Sequence, residues 1–456
     1  MSTPAVVIAA PASGSGKTTI ATGLMGALRR AGQRVAPFKV GPDFIDPGYH
    51  GLAAGRPSRN LDPVLLGEQL IGPLYRHGSD DADIAVVEGV MGLFDGRIGD
   101  AAEAGTARGS TAHVAALLGA PVVLVVDARG QSHSVAALLH GFATFDQGVR
   151  IAGVILNRVG SARHDAVLRQ ACEQAGVPVL GSVPRTDELA VPSRHLGLIT
   201  AVEHGVRAEA AIEAMTTLVA RHVDLAAVVA AASSRVTAPA WTPAVAAPVT
   251  GPVTVALAAG QAFTFGYAEH VELLNAAGAD IVAFDPLRDP LPDDTDALVL
   301  PGGFPEEFGA DLSANQTVRR QIAALAARGA PIHAECAGLT YLVDELDGMP
   351  MCGVIGGTAT FTDKLTLGYR DAVAMTDSPL HSTGDRVVGH EFHRTTVQFA
   401  SPVRPAWRLR GRAGTFVDDG VVQGGVHAAY LHTHPAARPD TVTGFVTAAA
   451  TSKLAG

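Results

Sequence analysis

The chain has 456 residues, too long for one ordinary domain and enough for two, each with its own core. Hydrophobic residues make up 47% and charged ones 17%, which describes a folded chain, and a net charge of −10 leaves no basic stripe for nucleic acid. Three scattered cysteines, Cys172, Cys336 and Cys352, exclude a disulfide framework or a zinc site, and no apolar run reaches the roughly 20 residues that cross a bilayer. The apolar start has no basic flank and reads as a strand, so no membrane partner is expected and the location implied is cytoplasmic.

The first element is a strand over Ala5–Ala10, which runs into Pro11-Ala12-Ser13-Gly14-Ser15-Gly16-Lys17-Thr18-Thr19 and then helix-compatible Ile20–Arg30. A buried strand, a Gly/Ser turn and a helix opening on Lys-Thr build a phosphate cradle. Backbone N–H groups of Ser13 to Thr19 face the anion, Lys17 reaches the terminal phosphates, and the Thr18 hydroxyl can hold Mg²⁺. Pro11 stands where the usual pattern has glycine, so the loop must open along a different path. A second strand, Arg34–Val40, ends in Lys39-Val40-Gly41-Pro42-Asp43-Phe44-Ile45-Asp46-Pro47. One lysine and two carboxylates at a strand exit suit ATP, a metal and an anionic substrate, although a solvated turn would use the same residues. Strand Ile84–Val87 delivers Glu88 and a glycine-rich stretch through Asp95 and Arg97, with Glu88 and Asp95 as further hard oxygen donors. Strands Pro121–Asp127, Ile151–Asn157 and Val177–Val183 follow, separated by helices Ser132–Phe145 and Ala162–Ala175. This alternation implies a parallel sheet covered on both faces, with ligands at the carboxyl ends of its strands. Lys17, Asp43, Asp46, Glu88 and Asp95 should therefore converge on one edge.

Helix-like Glu209–Val229 closes the first half, and Pro/Ala-rich Ala238–Pro252 cannot hold a regular element. The expected division is a first domain over 1–232, a linker over 233–252 and a second domain over 253–456. In the second, strand Thr254–Ala258, helix Tyr267–Ala277, strands Ile281–Phe284 and Ala297–Leu300, and helix Ala314–Arg328 restart the α/β pattern. Strand Pro331–Ala334 then delivers Glu335-Cys336-Ala337-Gly338 into a helix expected over Leu339–Leu346. A cysteine on such a turn has the geometry of a nucleophile elbow, with its side chain exposed and its thiol acidified by the helix N-terminus. Backbone N–H groups of Ala337 and of Gly302-Gly303 could form an oxyanion hole. The strand-like run Val421–Pro435 ends in histidines, of which His432 is the favoured base, while His390 and His393 are read as structural or substrate-facing.

The segments Pro301-Gly302-Gly303, Glu335-Cys336-Ala337-Gly338 and Tyr430-Leu431-His432 resemble a class I glutamine amidotransferase domain of the cobyric-acid-synthase type. The first half resembles dethiobiotin synthetase-like P-loop ligases. In this order the chain resembles the cobyrinate (or hydrogenobyrinate) a,c-diamide synthase family over nearly its full length. The resemblance implies an α/β fold, a P-loop parallel-sheet domain followed by a glutaminase domain, with ATP, Mg²⁺, L-glutamine and a corrin precursor as ligands. It implies Cys336 and His432 as catalytic, and Thr18, Asp43 and Glu88 as metal ligands. Lys39, Asp46, Asp95 and Arg97 then serve substrate and activation, Asn157 contacts adenine, and Arg56 and Arg59 are further candidates for the carboxylates. A homodimer is left open. Most class I glutaminases carry Glu two residues after the catalytic His; His434 holds that position here, as the related branch also lacks the Glu, so what orients His432 is open. Other readings are a sirohydrochlorin a,c-diamide synthase, a cobyric acid synthase, a CTP synthase-like ligase, and a P-loop switch with an inert second domain.

Overall fold

A computed structural model describes residues 2–98, 106–185, 193–194, 197–198, 200–245, 248–411 and 415–455. It divides into two compact units, Met1–Thr242 and Pro243–Gly456.

The first unit alternates strands and helices: β1 (Ala5–Ala9), α1 (Lys17–Arg30), β2 (Val35–Val40), α2 (Asp46–Ala54), β3 (Arg59–Leu61), α3 (Glu68–Gly78), β4 (Ile84–Glu88), α4 (Thr111–Leu118), β5 (Val122–Asp127), α5 (Ser134–Phe145), β6 (Ile151–Val159), α6 (Ala162–Gln174) and β7 (Val179–Pro184). The strands form one parallel sheet in the order β3-β2-β4-β1-β5-β6-β7. All five residues of β1 and of β4 are buried, as expected where helices cover both faces. A two-residue pair, β8 (Ser193–Arg194) with β9 (Gly197–Leu198), precedes α7 (Ala201–His204), α8 (Val206–His222) and α9 (Leu225–Ala231). The single helix expected over Glu209–Val229 is therefore two. Val223 leaves the helix to bridge Gly181, and the Asp224 side chain caps α9 through the Ala227 N–H.

Residues 233–241, the first part of the expected linker, are hydrogen-bonded to the first unit. Ser233 and Ala5 exchange two backbone hydrogen bonds, Arg235 N–H donates to Leu118, and Trp241 N–H donates to Pro73. No helix or strand occurs among the described residues of 233–252.

The second unit has a core sheet ordered β11-β10-β12-β13-β21-β20, from β10 (Val253–Ala258), β11 (Ala279–Phe284), β12 (Ala297–Leu300), β13 (Ile332–Glu335), β20 (Val421–Gln423) and β21 (Val426–Ala429). Only the β20–β21 pair is antiparallel. Helices α10 (Ala268–Ala276), α11 (Gly309–Ala314), α12 (Gln316–Ala327) and the terminal α14 (Pro439–Ala455) belong to this unit. The turn after β13 enters α13 (Ala337–Leu342), which stops early. Val343–Leu346, expected to continue it, is instead strand β14, which pairs with β15 (Met349–Pro350) and β16 (Ile355–Ala374) and buries Val343 and Leu346 at its two ends. These three belong to a second sheet with β17 (Arg386–Phe399), β18 (Trp407–Arg410) and β19 (Phe416–Asp419). β17 pairs antiparallel with β16, and its His390 also exchanges two backbone hydrogen bonds with His432, which brings this sheet against the end of the core sheet. Among the described residues no helix is long and apolar enough to cross a membrane.

Candidate active site

In the first unit the loop between β1 and α1 is shaped by two glycines in the left-handed region, Gly14 (φ 79°) and Gly16 (φ 97°). A Cβ on Gly16 would lie 2.2 Å from the Asn157 amide nitrogen, so only glycine lets β6 approach. The Asn157 Nδ2 donates to the Ser15 carbonyl at 2.9 Å and its Oδ1 accepts the Arg158 N–H, while Arg158 donates to the Gly14 carbonyl at 2.8 Å and pairs with Asp127. Asn157 thus clamps the cradle, with one hydrogen bond to backbone at each end of its amide. The Ser15 hydroxyl donates to the Ala12 carbonyl, and Ser13 and Gly14 form the exposed rim. At the head of α1 the Lys17 ammonium donates to the Met91 carbonyl at 2.6 Å, and Thr19 follows half-buried. Burial lowers the Lys17 pKa despite the attraction of Glu88.

Beneath this loop lies a buried charge cluster. The Thr18 hydroxyl donates to Glu88 Oε1 at 2.7 Å and sits 3.3 Å from Asp46 Oδ2. Lys39 Nζ contacts Asp46 at 2.7 Å, Glu88 at 3.2 Å and Asp43 at 3.8 Å. His50 on α2, which sequence reasoning did not single out, contacts the other Glu88 oxygen at 2.6 Å. Burial opposes the Lys39 charge, but Asp46, Glu88 and Asp43 overcome it and raise its pKa. Burial likewise works against the Glu88 carboxylate, and Lys39 and His50 outweigh it. Asp46 shifts the other way, raised mainly by burial and then by Asp43.

The arrangement refines the expected roles. Asp43 Oδ1 accepts the N–H groups of Ile45 and Asp46 and so starts α2, leaving Asp46 as the carboxylate beside Thr18 and Glu88. Lys39, expected to meet substrate, is 3% exposed and neutralises these carboxylates. Asp95 is exposed and accepts the Gly92 N–H at 2.9 Å; Arg97, half-buried, donates its backbone N–H to Arg108. Arg56 is bonded to the Asp80 carbonyl at 3.0 Å, and Arg59 is buried. The described residues hold no group of three or more His, Cys, Asp or Glu that could hold a metal ion by themselves. One hydroxyl and two carboxylates beside a phosphate cradle fit Mg²⁺, which takes few protein oxygens and completes its shell with phosphate and water.

In the second unit Cys336 sits between β13 and α13 with φ 51° and ψ −99°, a conformation that L-residues adopt only when the surroundings impose it. The Cys336 N–H donates to the Ala429 carbonyl at 2.7 Å, and a Cβ on Gly338 would lie 2.3 Å from the Leu300 carbonyl, so strand and helix pack tightly at the elbow. The thiol is not exposed as expected: Cys336 is 3% accessible, and its Sγ lies 3.7 Å from the Phe392 carbonyl. Nor is it acidified. Burial, and then the charge of Glu306, push its pKa up, and hydrogen bonds from the Ala337 and Gly303 N–H groups offset this only in part.

Ala337 opens α13 directly after the cysteine, and its N–H and that of Gly303, both acting on the thiol, are the donors available to an oxyanion on a carbonyl attached to Sγ. Gly302 has another task. A Cβ there would lie 2.3 Å from Cε1 and 3.2 Å from Nε2 of His432, so the absence of a side chain makes room for the imidazole. His432 itself is fully buried and carries Glu335 Oε2 at 3.5 Å from Nδ1. Glu335 was passed over in the sequence because it precedes the nucleophile rather than following the base. His390 is held by its backbone bridge to His432, while the His393 ring stacks on Tyr430 at 3.8 Å and its Nδ1 meets the Thr395 carbonyl.

Residues 6–199 match the family described as the CobQ/CobB/MinD/ParA nucleotide binding domain, and residues 254–440 match the CobB/CobQ-like glutamine amidotransferase domain. The chain is 71% identical over 452 residues to the hydrogenobyrinate a,c-diamide synthase of Mycobacterium bovis, covering 99% of each. It is 52% identical over 483 residues to the protein of that name from Streptomyces coelicolor, covering 98% of each. It is 42% identical over 463 residues to the cobyrinate a,c-diamide synthase of Syntrophotalea carbinolica, again covering 98% of each.

Proposed function

The chain belongs to the cobyrinate/hydrogenobyrinate a,c-diamide synthase family, and from that premise we propose how its two sites divide the amidation of a corrin precursor. The reaction is ATP- and glutamine-dependent conversion of the a and c acetate carboxylates to amides. The ring taken is the cobalt-free one, hydrogenobyrinate, because the relatives at 71% and 52% identity carry that name and the cobyrinate enzyme stands at 42%.

A carboxylate resists attack by ammonia because oxide would have to leave. In the first unit a carboxylate oxygen attacks the γ-phosphorus of ATP, the bond to the β-phosphate oxygen breaks, and ADP departs from an acyl phosphate. Lys17 and the loop N–H groups bear on the negative charge that develops. Thr18, Glu88 and Asp46 would hold Mg²⁺, which would supply further neutralisation of the phosphate charge. Ammonia then adds to the acyl carbon, loses a proton and expels phosphate.

In the second unit the Cys336 thiol passes its proton to His432 Nε2 as sulfur attacks the glutamine side-chain carbonyl. The N–H groups of Ala337 and Gly303 receive the oxyanion. His432 returns the proton to the departing nitrogen, releasing ammonia, and then takes a proton from the water that cleaves the thioester to glutamate and free thiol. Asn157 and Lys39 support the first site from behind, as clamp and counter-charge.

The observation that carries this reading is the Cys336 elbow, held at φ 51° between β13 and α13, in the chain that also bears the Lys17–Thr18 cradle. Cys336→Ala should abolish glutamine-dependent synthesis by at least about 10³-fold and leave ammonium-dependent synthesis near wild type. Loss of both together in a folded variant, or of neither, overturns the two-site scheme. Weighing products from hydrogenobyrinate and cobyrinate tests the choice of ring.

A further inference from the structure

The position where most class I glutaminases carry the acid that orients the base holds His434, and the geometry around it points elsewhere. His434 Nδ1 accepts the Ala436 N–H at 3.3 Å, closing the turn Pro435–Ala437, and its ring packs 4.1 Å from Tyr267. A carboxylate reaches the base from the other strand. Glu335 closes β13, in register with Ala429 of β21, and points Oε2 at His432 Nδ1. Its other oxygen is anchored: Oε1 accepts the Thr433 N–H at 3.1 Å and the Thr433 hydroxyl at 3.2 Å, and His333 Nε2 lies 3.4 Å away. The residue after the base therefore grips the residue before the nucleophile.

We propose that Glu335 is the positioning residue of the glutaminase site, taking the Nδ1–H of His432 and leaving Nε2, on the Gly302 side, as acceptor for the Cys336 proton. The inference rests on the roles proposed above for Cys336 and His432. Three features support it. The carboxylate stays charged: burial opposes this, yet His333 and His432 hold its pKa well below the usual range. The opposite imidazole edge is confined, since His432 Cε1 and Nε2 border the Gly302 backbone. His390 from β17, which exchanges backbone hydrogen bonds with His432, is kept uncharged by burial first and then by His432 and Arg370, so it does not compete with Glu335 as a charged partner. A fixed tautomer and a stabilised imidazolium are what an acid in this place supplies.

The test is Glu335→Gln in the full chain, which keeps the shape and removes the charge. Glutaminase kcat should fall on the order of 10²-fold or more with KM for glutamine within about threefold. The acid limb of the kcat/KM profile should move to lower pH, because an imidazolium without its counter-anion deprotonates more readily. Ammonium-dependent synthesis should be unchanged. A kcat within twofold of wild type with an unmoved acid limb overturns the inference, as does an effect confined to KM. If Glu335→Gln does not fold, Thr433→Val decides: loss of its anchoring hydroxyl lowers glutaminase kcat three- to tenfold if the fixed carboxylate orients the base, and leaves kcat alone if it does not. His434→Gln is expected to stay within twofold; a loss equal to that of Glu335→Gln would hand the role to His434. Cys336→Ala, assayed in parallel, separates the two levels, because glutaminase activity surviving in that variant defeats the underlying reading rather than the role of Glu335.

Discussion

Beneath the phosphate cradle, Lys39 is buried among Asp43, Asp46 and Glu88, and His50 adds a further contact to Glu88. In the second unit the same burial yields a different result: His270, His381, His390 and His427 are kept neutral, and Cys336 stays a thiol. The first region holds opposed charges in place; the second suppresses charge, with Glu335 and its histidine contacts as an exception. The contrast follows the ligands proposed for each. A nucleotide with its metal brings several charges, which a pre-set network of carboxylates and ammonium can receive without reorganising. A glutamine amide is neutral, and the ammonia it releases must not be captured by a proton. A site built to stay uncharged delays thiolate formation until base, substrate and oxyanion donors are assembled.

The comparison is broken most directly by removing charge from the first site. Lys17→Ala should lower synthesis on the order of 10³-fold with glutamine or ammonium alike, by the scale on which single charge-stabilising groups act. Glutaminase turnover should remain within threefold. An equal loss of glutaminase would show that Lys17 serves both regions and that the division of labour drawn here fails.

In the second site shape should matter more than charge, and Gly302 gives the sharpest probe. A methyl group there would fall 2.3 Å from His432 Cε1 and 3.0 Å from the Phe265 ring, so the imidazole must turn. Gly302→Ala should reduce glutamine-dependent synthesis about 10²-fold, since displacing a reacting group by an ångström has that effect. Ammonium-dependent synthesis should not change. A variant with full glutaminase activity would mean that the His432 position seen here is not the working one.

These two probes also mark how far the sequence could be read. The parallel strands of the first unit announce themselves because burial on both faces leaves continuous apolar runs, as in Ile84–Val87, and the cradle residues follow from their place after a strand. The antiparallel pair Ile355–Ala374 and Arg386–Phe399 offers no such run: its threonines, glycines and charges reflect faces that are partly wet, and the pairing is not written in local pattern. Cys336 was legible as an elbow, but its burial was not, because Phe392 comes from β17, a distant stretch of chain. Lys39 stood out as a charge at a strand end, yet only the fold reveals the carboxylates it meets, Asp46 and Glu88. His50 and Glu335 carry no motif. Their roles come from the tertiary approach of α2 to β4 and of β13 to the segment after β21.

The smallest expected effect concerns stability, and it tests the neutral wall itself. His270 and His381 are lowered to about 4 and His390 to about 3, in each case first by burial. Between about pH 6.5 and pH 4 the unfolded chain binds protons at these positions and the folded chain does not, so stability present above 6.5 is lost as pH falls through this window. Asp419, raised to about 6 by burial and then by Glu391, works in the opposite sense, because the folded state takes up its proton first. From pH 7 to pH 5.5 these three histidines outweigh it by on the order of 3 kcal/mol, or roughly 5–10 °C in Tm, and His427, also kept neutral by burial, adds to the loss in the second unit. In the first unit the lowered Glu88 pKa defers its own loss to below the ordinary carboxylate range. The chain has two tryptophans, one in each unit, and Trp407 packs 4.6 Å from His381 in the second. In Trp241→Phe the fluorescence of Trp407 should therefore report unfolding at markedly lower temperature at pH 5.5 than at pH 7. In Trp407→Phe the signal of Trp241 should move less. Equal shifts in both would mean that the histidine wall is not what makes the second unit sensitive to acid.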